Sequence, residues 1–244
     1  MNATETEVQD KVAEFYEELR YKNPYAKRYH ECWTSKMVSL IRQDGLILDN
    51  GCGTGMLAES LTKAKVIGLD ISKGMLNKAK KRLSNLVLAD SQDLPFKDNI
   101  FDTVFCRSIL HHLPNPKLGV SEIHRVLKVG GEAIFSETNS SFLNNIPRKI
   151  IKKTEHFSEG HKNFDRKELL ALIGSKLRVE DVQFFGYIAY PLIGFPDLID
   201  VFRYLPLKTL VEKILIGIDE LIALIPGLNK QSWGIIVKAK KEAC

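Results

Sequence analysis

The chain has 244 residues, 44% hydrophobic and 27% charged, with a net charge of +5. That suffices for one sizeable α/β domain or two small ones, excludes collagen-like, coiled-coil and disordered classes, and is too mild a charge to point by itself to nucleic acid. The four cysteines form no CxxC pair that would suggest zinc or a disulfide framework, no apolar run approaches the ~18 residues of a membrane span, and a polar, acidic N-terminus argues against a secretory leader, so a cytoplasmic protein is expected.

In chain order, residues 5–20 and 25–43 read as helices broken at Asn23-Pro24, since proline is tolerated in a first turn and not in an interior one. They carry Phe15, Tyr16, Tyr21, Tyr25, Tyr29 and Trp33, either as packing against the rest of the molecule or as a lid over a ligand. From Gly45 onward, strands at 46–50, 66–70, 86–89, 101–106 and 132–137 alternate with helices near 55–64, 73–83 and 116–128. This alternation predicts a doubly wound, mostly parallel sheet. Asn115 is positioned to cap the third of these helices, Pro116 to open it and Gly130-Gly131 to close it.

Residues 139–164 mix Arg148, Lys149, Lys152 and Lys153 with Ile146, Ile150 and Ile151, which reads as a solvated amphipathic face or as a contact with an anion or a membrane surface. Asp165 with Glu168 predicts a capping box for a helix to about Lys176, followed by a strand at roughly 178–187. Residues 188–230 are apolar. Within them Leu207, Leu210, Val211, Ile214, Leu215, Ile218, Leu221, Ile222 and Ile225 recur at helical spacing, ended by Pro226-Gly227. Trp233 to Lys240 reads as a last strand whose lysine-rich tail predicts an edge or exit position. The expected organisation is one domain over 1–244: N-terminal helices 1–44, a cofactor-binding core 45–138, a variable region with the sixth strand 139–187, a helical cap 188–230, and the last strand and tail 231–244.

The chemistry concentrates in Ile47-Leu48-Asp49-Asn50-Gly51-Cys52-Gly53-Thr54-Gly55, a strand, a glycine turn and a helix-like pattern. Glycines let a ligand approach the backbone and supply positive φ, and N–H groups of the following turn face the ligand. Gly53-x-Gly55-x-x-Ala58 also satisfies a dinucleotide pattern. Asp49 discriminates, because a carboxylate before the turn repels a diphosphate and attracts an ammonium or sulfonium group. Asp70 ends the next strand, where a ribose hydroxyl would be accepted. Asp90 ends the third, and dinucleotide binding has no need of it. Three acids on successive strand ends suit a nucleoside with a cationic tail.

These residues, with Gly68-Leu69-Asp70-Ile71-Ser72, Ala89-Asp90-Ser91-Gln92-Asp93-Leu94-Pro95-Phe96, Phe101-Asp102 through Leu110-His111-His112-Leu113, and Arg125 through Gly131, stand in the order and spacing of a known family. Over about residues 45–138 the chain resembles the class I S-adenosyl-L-methionine-dependent methyltransferases of the type 11 group, which includes ubiquinone- and menaquinone-biosynthesis-like enzymes. The resemblance implies a seven-stranded Rossmann-like methyltransferase fold and S-adenosyl-L-methionine as cofactor. It places Gly51, Gly53 and Gly55 along the methionine moiety and Asp49 near its ammonium. Asp70 would take the ribose hydroxyls, Ile71 the adenine face, and Asp90 and Ser91 the adenine edge, with Arg107 at the methionine end and the substrate entrance. Asn50 departs from the apolar residue often found there.

Methyl transfer asks mainly for positioning and desolvation, with a base only where the nucleophile must lose a proton. His111 and His112 follow the fourth strand and are the candidate catalytic pair; His156 and His161 are weaker candidates, and no metal site is indicated. The Asn/Asp-Pro-Pro-Tyr of amine-directed enzymes is replaced here by Arg107-Ser108-Ile109-Leu110, and no basic stripe or appended module favours nucleic acid. The expected acceptor is a small molecule with an apolar portion, such as a lipid or quinone, covered by residues 188–228, with peripheral membrane contact left open. The alternative is a cap that packs on the sheet and buries its own stripe. Two other readings are a non-catalytic, methyltransferase-like interaction subunit and an NAD(P)-dependent oxidoreductase.

Overall fold

The computed structural model describes residues 3–145, 163–195 and 204–243. The expected amphipathic face around 146–153, with His156 and His161, lies outside them. The N-terminal helices are α1, Ala3–Glu17, continued by a π-helical turn Glu18–Lys22, and α2, Pro24–Leu40. Asn23 caps α2, its side chain accepting from the Tyr25 and Ala26 amides at 3.0 and 3.2 Å, and Pro24 occupies the first position. β1 (Leu46–Asn50), β2 (Lys65–Asp70), α3 (Lys73–Ala79), β3 (Leu86–Leu88), β4 (Phe101–Arg107), α4 (Pro116–Val126) and β5 (Leu127–Thr138) follow. The chain then forms α5 (Arg166–Gly174), β6 (Arg178–Phe185), α6 (Lys208–Ala223) and β7 (Gly234–Lys240). The capping box of Asp165 and Glu168 opens α5 as expected.

The seven strands form one sheet in the order β3-β2-β1-β4-β5-β7-β6. β1 to β5 run parallel, whereas β7 pairs antiparallel with both β5 and β6. Strand alternation divides the core between two faces. Ile47, Phe105, Ile134 and Ile236 pack with Trp33 and Met37 of α2. Leu48, Val104, Phe135 and Val237 pack with Ile123 of α4 and Ile173 of α5.

Four expectations are corrected. The helix at 55–64 is a run of turns with a short 3₁₀ segment, Ala58–Ser60, because Gly55 takes a φ of 79° and Leu57, Ala58 and Leu61 are buried without a full helix. Asn115 makes no side-chain cap to α4. Gly130-Gly131 does not close α4 but lies inside β5, which starts at Leu127. Finally β7 is interior: Ile235, Ile236, Val237 and Ala239 are buried, and two lysines of the tail have partners far along the chain. Lys238 pairs with Glu132 at 3.0 Å, and Lys241 reaches the His124 and Leu127 carbonyls at 2.8 and 2.9 Å.

α6 follows the stripe-burying alternative only in part, since Val211 and Leu215 of the predicted stripe pack against the core. Its fully buried residues are Glu212 and Asp219, while Leu210, Ile214 and Leu221 face outward. Glu212 pairs with Arg28 at 3.3 Å. Asp219 accepts from the amides of Tyr187, Ile188 and Ala189 at 2.8, 2.7 and 3.1 Å, which fastens α6 to the chain leaving β6.

Candidate active site

Strand order reverses between β1 and β4, and in open α/β sheets the crevice beyond the strand ends at such a point is where ligands bind. Gly51, Gly53 and Gly55, beyond β1, have φ of 79°, 53° and 79°, a region that penalises any side chain. The Gly51 and Cys52 amides both donate to the Leu69 carbonyl, at 2.8 and 2.9 Å, turning the loop back over β2. A Cβ on Gly51 would stand 2.8 Å from the Ile109 side chain, whereas one on Gly53 would meet nothing within 4 Å. Gly51 therefore seals the β1 loop against the β4 loop, and Gly53 borders open space. Gly51→Ala is expected to cost about 2–3 kcal/mol of stability, and Gly53→Ala only the backbone strain of about 1 kcal/mol. Equal denaturation midpoints for the two variants would show that the loops do not press on one another.

Asp49 and Asp70 are both buried beside this loop. Burial first, then the neighbouring Asp70 charge, pushes the Asp49 carboxyl well above its ordinary range, while Arg107 pulls the other way. Burial also raises Asp70, against the Gly53 and Ser72 amides that donate to it at 2.8 and 2.9 Å. Two buried acids held at unfavourable cost make a site that a cation stabilises. Thr54, in the same loop, has a buried hydroxyl with no hydrogen-bond partner among the described residues. An open glycine, an unsatisfied hydroxyl and paired acids fit a nucleoside with an ammonium and a carboxylate at one end.

The third acid sits lower in the crevice. Asp90 lies two residues past β3 and accepts from its own neighbour Gln92, backbone at 2.9 Å. Ser91 donates to the Asn50 side chain at 2.8 Å, and Asn50 reaches Cys106 Sγ at 3.7 Å. Asn50, the departure from the family pattern, thus ties β1 to β4 and to the Asp90 loop. Ile71 is half-buried directly after β2.

At the end of β4 the Arg107 guanidinium lies 4.1 Å over the Trp33 ring and donates to Thr34 Oγ1 at 3.3 Å and His30 Nδ1 at 2.9 Å. His30 Nε2 is 3.0 Å from the Gly194 carbonyl. A guanidinium only donates and a carbonyl only accepts, so His30 is neutral with its proton on Nε2. Burial, then the Arg107 charge, holds its pKa well below the usual histidine value. Trp33 Nε1 donates to Ser136 in β5 at 2.9 Å, and Phe185 and Phe195 approach Trp33 and His30 at 5.0 and 5.6 Å. Of the aromatic residues of α2, Tyr29 and Trp33 follow the packing reading: both are buried in the core on this face of the sheet.

Ser108, next to Arg107, has a φ of 59°, strained for a residue with a Cβ. The loop it begins is anchored by Glu137, which sequence reasoning passed over. Its buried carboxylate accepts from the Ile109 and Leu110 amides at 3.0 and 2.8 Å with one oxygen and holds His111 Nδ1 at 2.5 Å with the other. His111 is itself buried. Its ring lies 4.2 Å from that of His112. The one available sign of Glu137 was a carboxylate just after the apolar run Ala133-Ile134-Phe135 near the end of β5.

Two further contacts had no sequence signal. Asp10 of α1 accepts from the Ser72 hydroxyl and from the Gly74 amide at 2.9 Å, fastening α1 beside the Asp70 loop. Arg82 joins Glu17 at 2.6 Å to the Thr54 carbonyl at 3.1 Å.

The family pattern described as a methyltransferase domain matches residues 48–135, the span that contains these loops. The demethylmenaquinone methyltransferase of Staphylococcus carnosus is 31% identical over 201 residues, covering 69% of this chain and 83% of that protein. That of Symbiobacterium thermophilum is 35% identical over 151 residues, 56% of this chain and 59% of that protein. In fold, a SAM-dependent methyltransferase of Thermotoga maritima superposes with a TM-score of 0.68 at 21% identity, covering 97% of this chain and 99% of the other.

Proposed function

Since the chain belongs to the class I S-adenosylmethionine-dependent methyltransferases of the ubiquinone/menaquinone-like type, we propose that it methylates a small molecule with an apolar, ring-bearing portion. The observation that carries this is the aromatic wall of His30, Trp33, Phe185 and Phe195, which stands over β4 and β5 beside the Asp49 loop. A small cleft lined by Trp33, Phe184, Phe185 and Ile216, with Lys36, Asp219 and Glu220 at its edge, lies between α2, β6 and α6. Relatives named for demethylmenaquinone, a quinone, support the same class of acceptor.

S-adenosylmethionine supplies an electrophilic methyl group on a sulfonium. Around it, Asp49 would face the methionine ammonium, and the Gly51–Gly55 loop with the Thr54 hydroxyl would receive the methionine end. Asp70 would accept from the ribose, Ile71 would lie on the adenine, and Asp90 and Ser91 would line its edge. Arg107 would divide the methionine end from the aromatic wall. It is held there by Trp33, Thr34 and His30.

His111 and His112 are the proposed proton acceptors where the nucleophile carries a proton. Glu137 fixes the Nδ1–H tautomer of His111, which leaves the basic lone pair on Nε2. The rings and the helices α1 and α2 keep water from the reacting group.

The test is transfer of labelled methyl from S-adenosylmethionine into cell extract split into lipid, aqueous and macromolecular pools. Label is expected in the lipid pool. Label confined to protein or RNA would overturn the acceptor class, and absence of calorimetric S-adenosylmethionine binding by the folded protein would overturn the cofactor site.

A further inference from the structure

We infer that the outer face of α6 is a docking surface for an anionic lipid bilayer. The helix rests on the core through Val211, Leu215 and Ile216, and two of its acids, Glu212 and Asp219, are turned inward with them at 3% and 7% exposure. Leu210, Ile214, Leu221 and Leu224 are turned outward at 54%, 51%, 65% and 77%. At 100° per residue those four fall on one stripe of the helix.

The inward acids have internal work, the Arg28 pair and the three amides after β6, so their orientation is set by the fold. The consequence is a segregation of charge. Over residues 204–231 the exposed charges are Lys213 and Lys230 against Glu220, with Lys208 half-exposed. An apolar ridge with two exposed lysines against one exposed acid, its other two acids hidden, complements acyl chains below and anionic headgroups around.

The face continues onto a second element. The Leu143 amide donates to Gln231 at 3.1 Å, which joins Leu143 and its neighbour Phe142, 77% exposed, to the 3₁₀ turn Leu228–Gln231 that follows α6. Among the described residues no helix is long and apolar enough to cross a membrane, so the geometry is that of a helix lying in the interface plane. The other side of α6 lines the small cleft against α2 and β6 through Ile216, Asp219 and Ala223. The inference concerns the surface alone and holds whatever the methyl acceptor is.

The test is co-flotation of the full chain with vesicles of phosphatidylcholine, with and without about one third phosphatidylglycerol. The wild type is expected to float with the anionic vesicles and to be released by high salt. The variant Leu210→Ser/Leu221→Ser/Leu224→Ser, altered only at exposed positions, is expected to bind about tenfold or more weakly. Lys213→Glu/Lys230→Glu is expected to lose the preference for phosphatidylglycerol.

Calorimetric S-adenosylmethionine binding by both variants reports folding and the cofactor site separately from the surface. Absence of flotation by the wild type, equal flotation on phosphatidylcholine alone, or undiminished flotation of the leucine variant would overturn the inference. So would a dimer in light scattering that the leucine variant dissolves while the wild type ignores vesicles, since the face would then belong to a second copy.

Discussion

Asp49→Asn is expected to weaken S-adenosylmethionine binding by about 10- to 100-fold, the worth of one charge-assisted contact in a dry site. The same substitution should remove most of the pH dependence of binding. In the wild type, burial and Asp70 hold the Asp49 carboxyl well above its ordinary range. A cationic ligand prefers the ionised carboxylate and, once bound, lowers that pKa. Affinity must therefore rise as pH climbs through the raised Asp49 value and level off above it, with proton release in the rising part. Calorimetry in two buffers of different ionisation enthalpy measures that release. Asp70 titrates in the same cleft and Arg107 faces it, so some dependence persists in the variant. Wild-type affinity that is flat, or that falls as pH rises, would remove Asp49 from the ligand's cationic end.

Glu137→Ala is expected to be the most damaging single change outside the glycine loop. It deletes the acceptor of two backbone amides and of His111 in a place water does not reach. Breaking a buried, multiply bonded charge costs about 3–5 kcal/mol, which for a chain of this size lowers the melting temperature by about 6–20 °C. Glu137→Gln separates support from chemistry. The amide oxygen can still take the Ile109 and Leu110 N–H groups, but its NH₂ presented to His111 Nδ1 would move the imidazole proton to Nε2. If His111 acts as a base, this variant melts close to the wild type, loses kcat with little change in KM, and has an altered pH–rate profile. A Glu137→Ala protein that melts like the wild type would refute the anchoring role.

The parts of this site legible in the sequence were those in which one residue type does one local job. Asp49 and Asp70 close apolar strands, the glycines need positive φ, and Asp165 with Glu168 form a box within one turn. The structure places these where they were expected. What stayed hidden depends on partners far along the chain. The helix-like run Met56 to Lys63 has the right apolar spacing, but Gly55 starts it in a left-handed conformation and only a 3₁₀ segment survives. Lys238 and Lys240 looked like an edge because nothing local reveals Glu132 across the sheet. The period of α6 was readable and its orientation was not, since Arg28 and the amides of residues 187–189 decide which side goes in. Glu137 looked like the end of a strand because the loop it holds begins 28 residues earlier.

The cluster under α1 has a consequence for how the molecule opens. Only Val12, Ala13 and Met75 are fully buried there, with Val8, Phe15 and Tyr16 partly so, and the cluster is separate from both cores of the sheet. So small an apolar contact, together with the Asp10 and Arg82 bonds, holds α1 with less free energy than the sheet requires to unfold. The chain thus has two stabilities, and the lower belongs to the helix fastened beside Asp70. Detaching it would expose the Asp70 loop while both cores of the sheet stay intact.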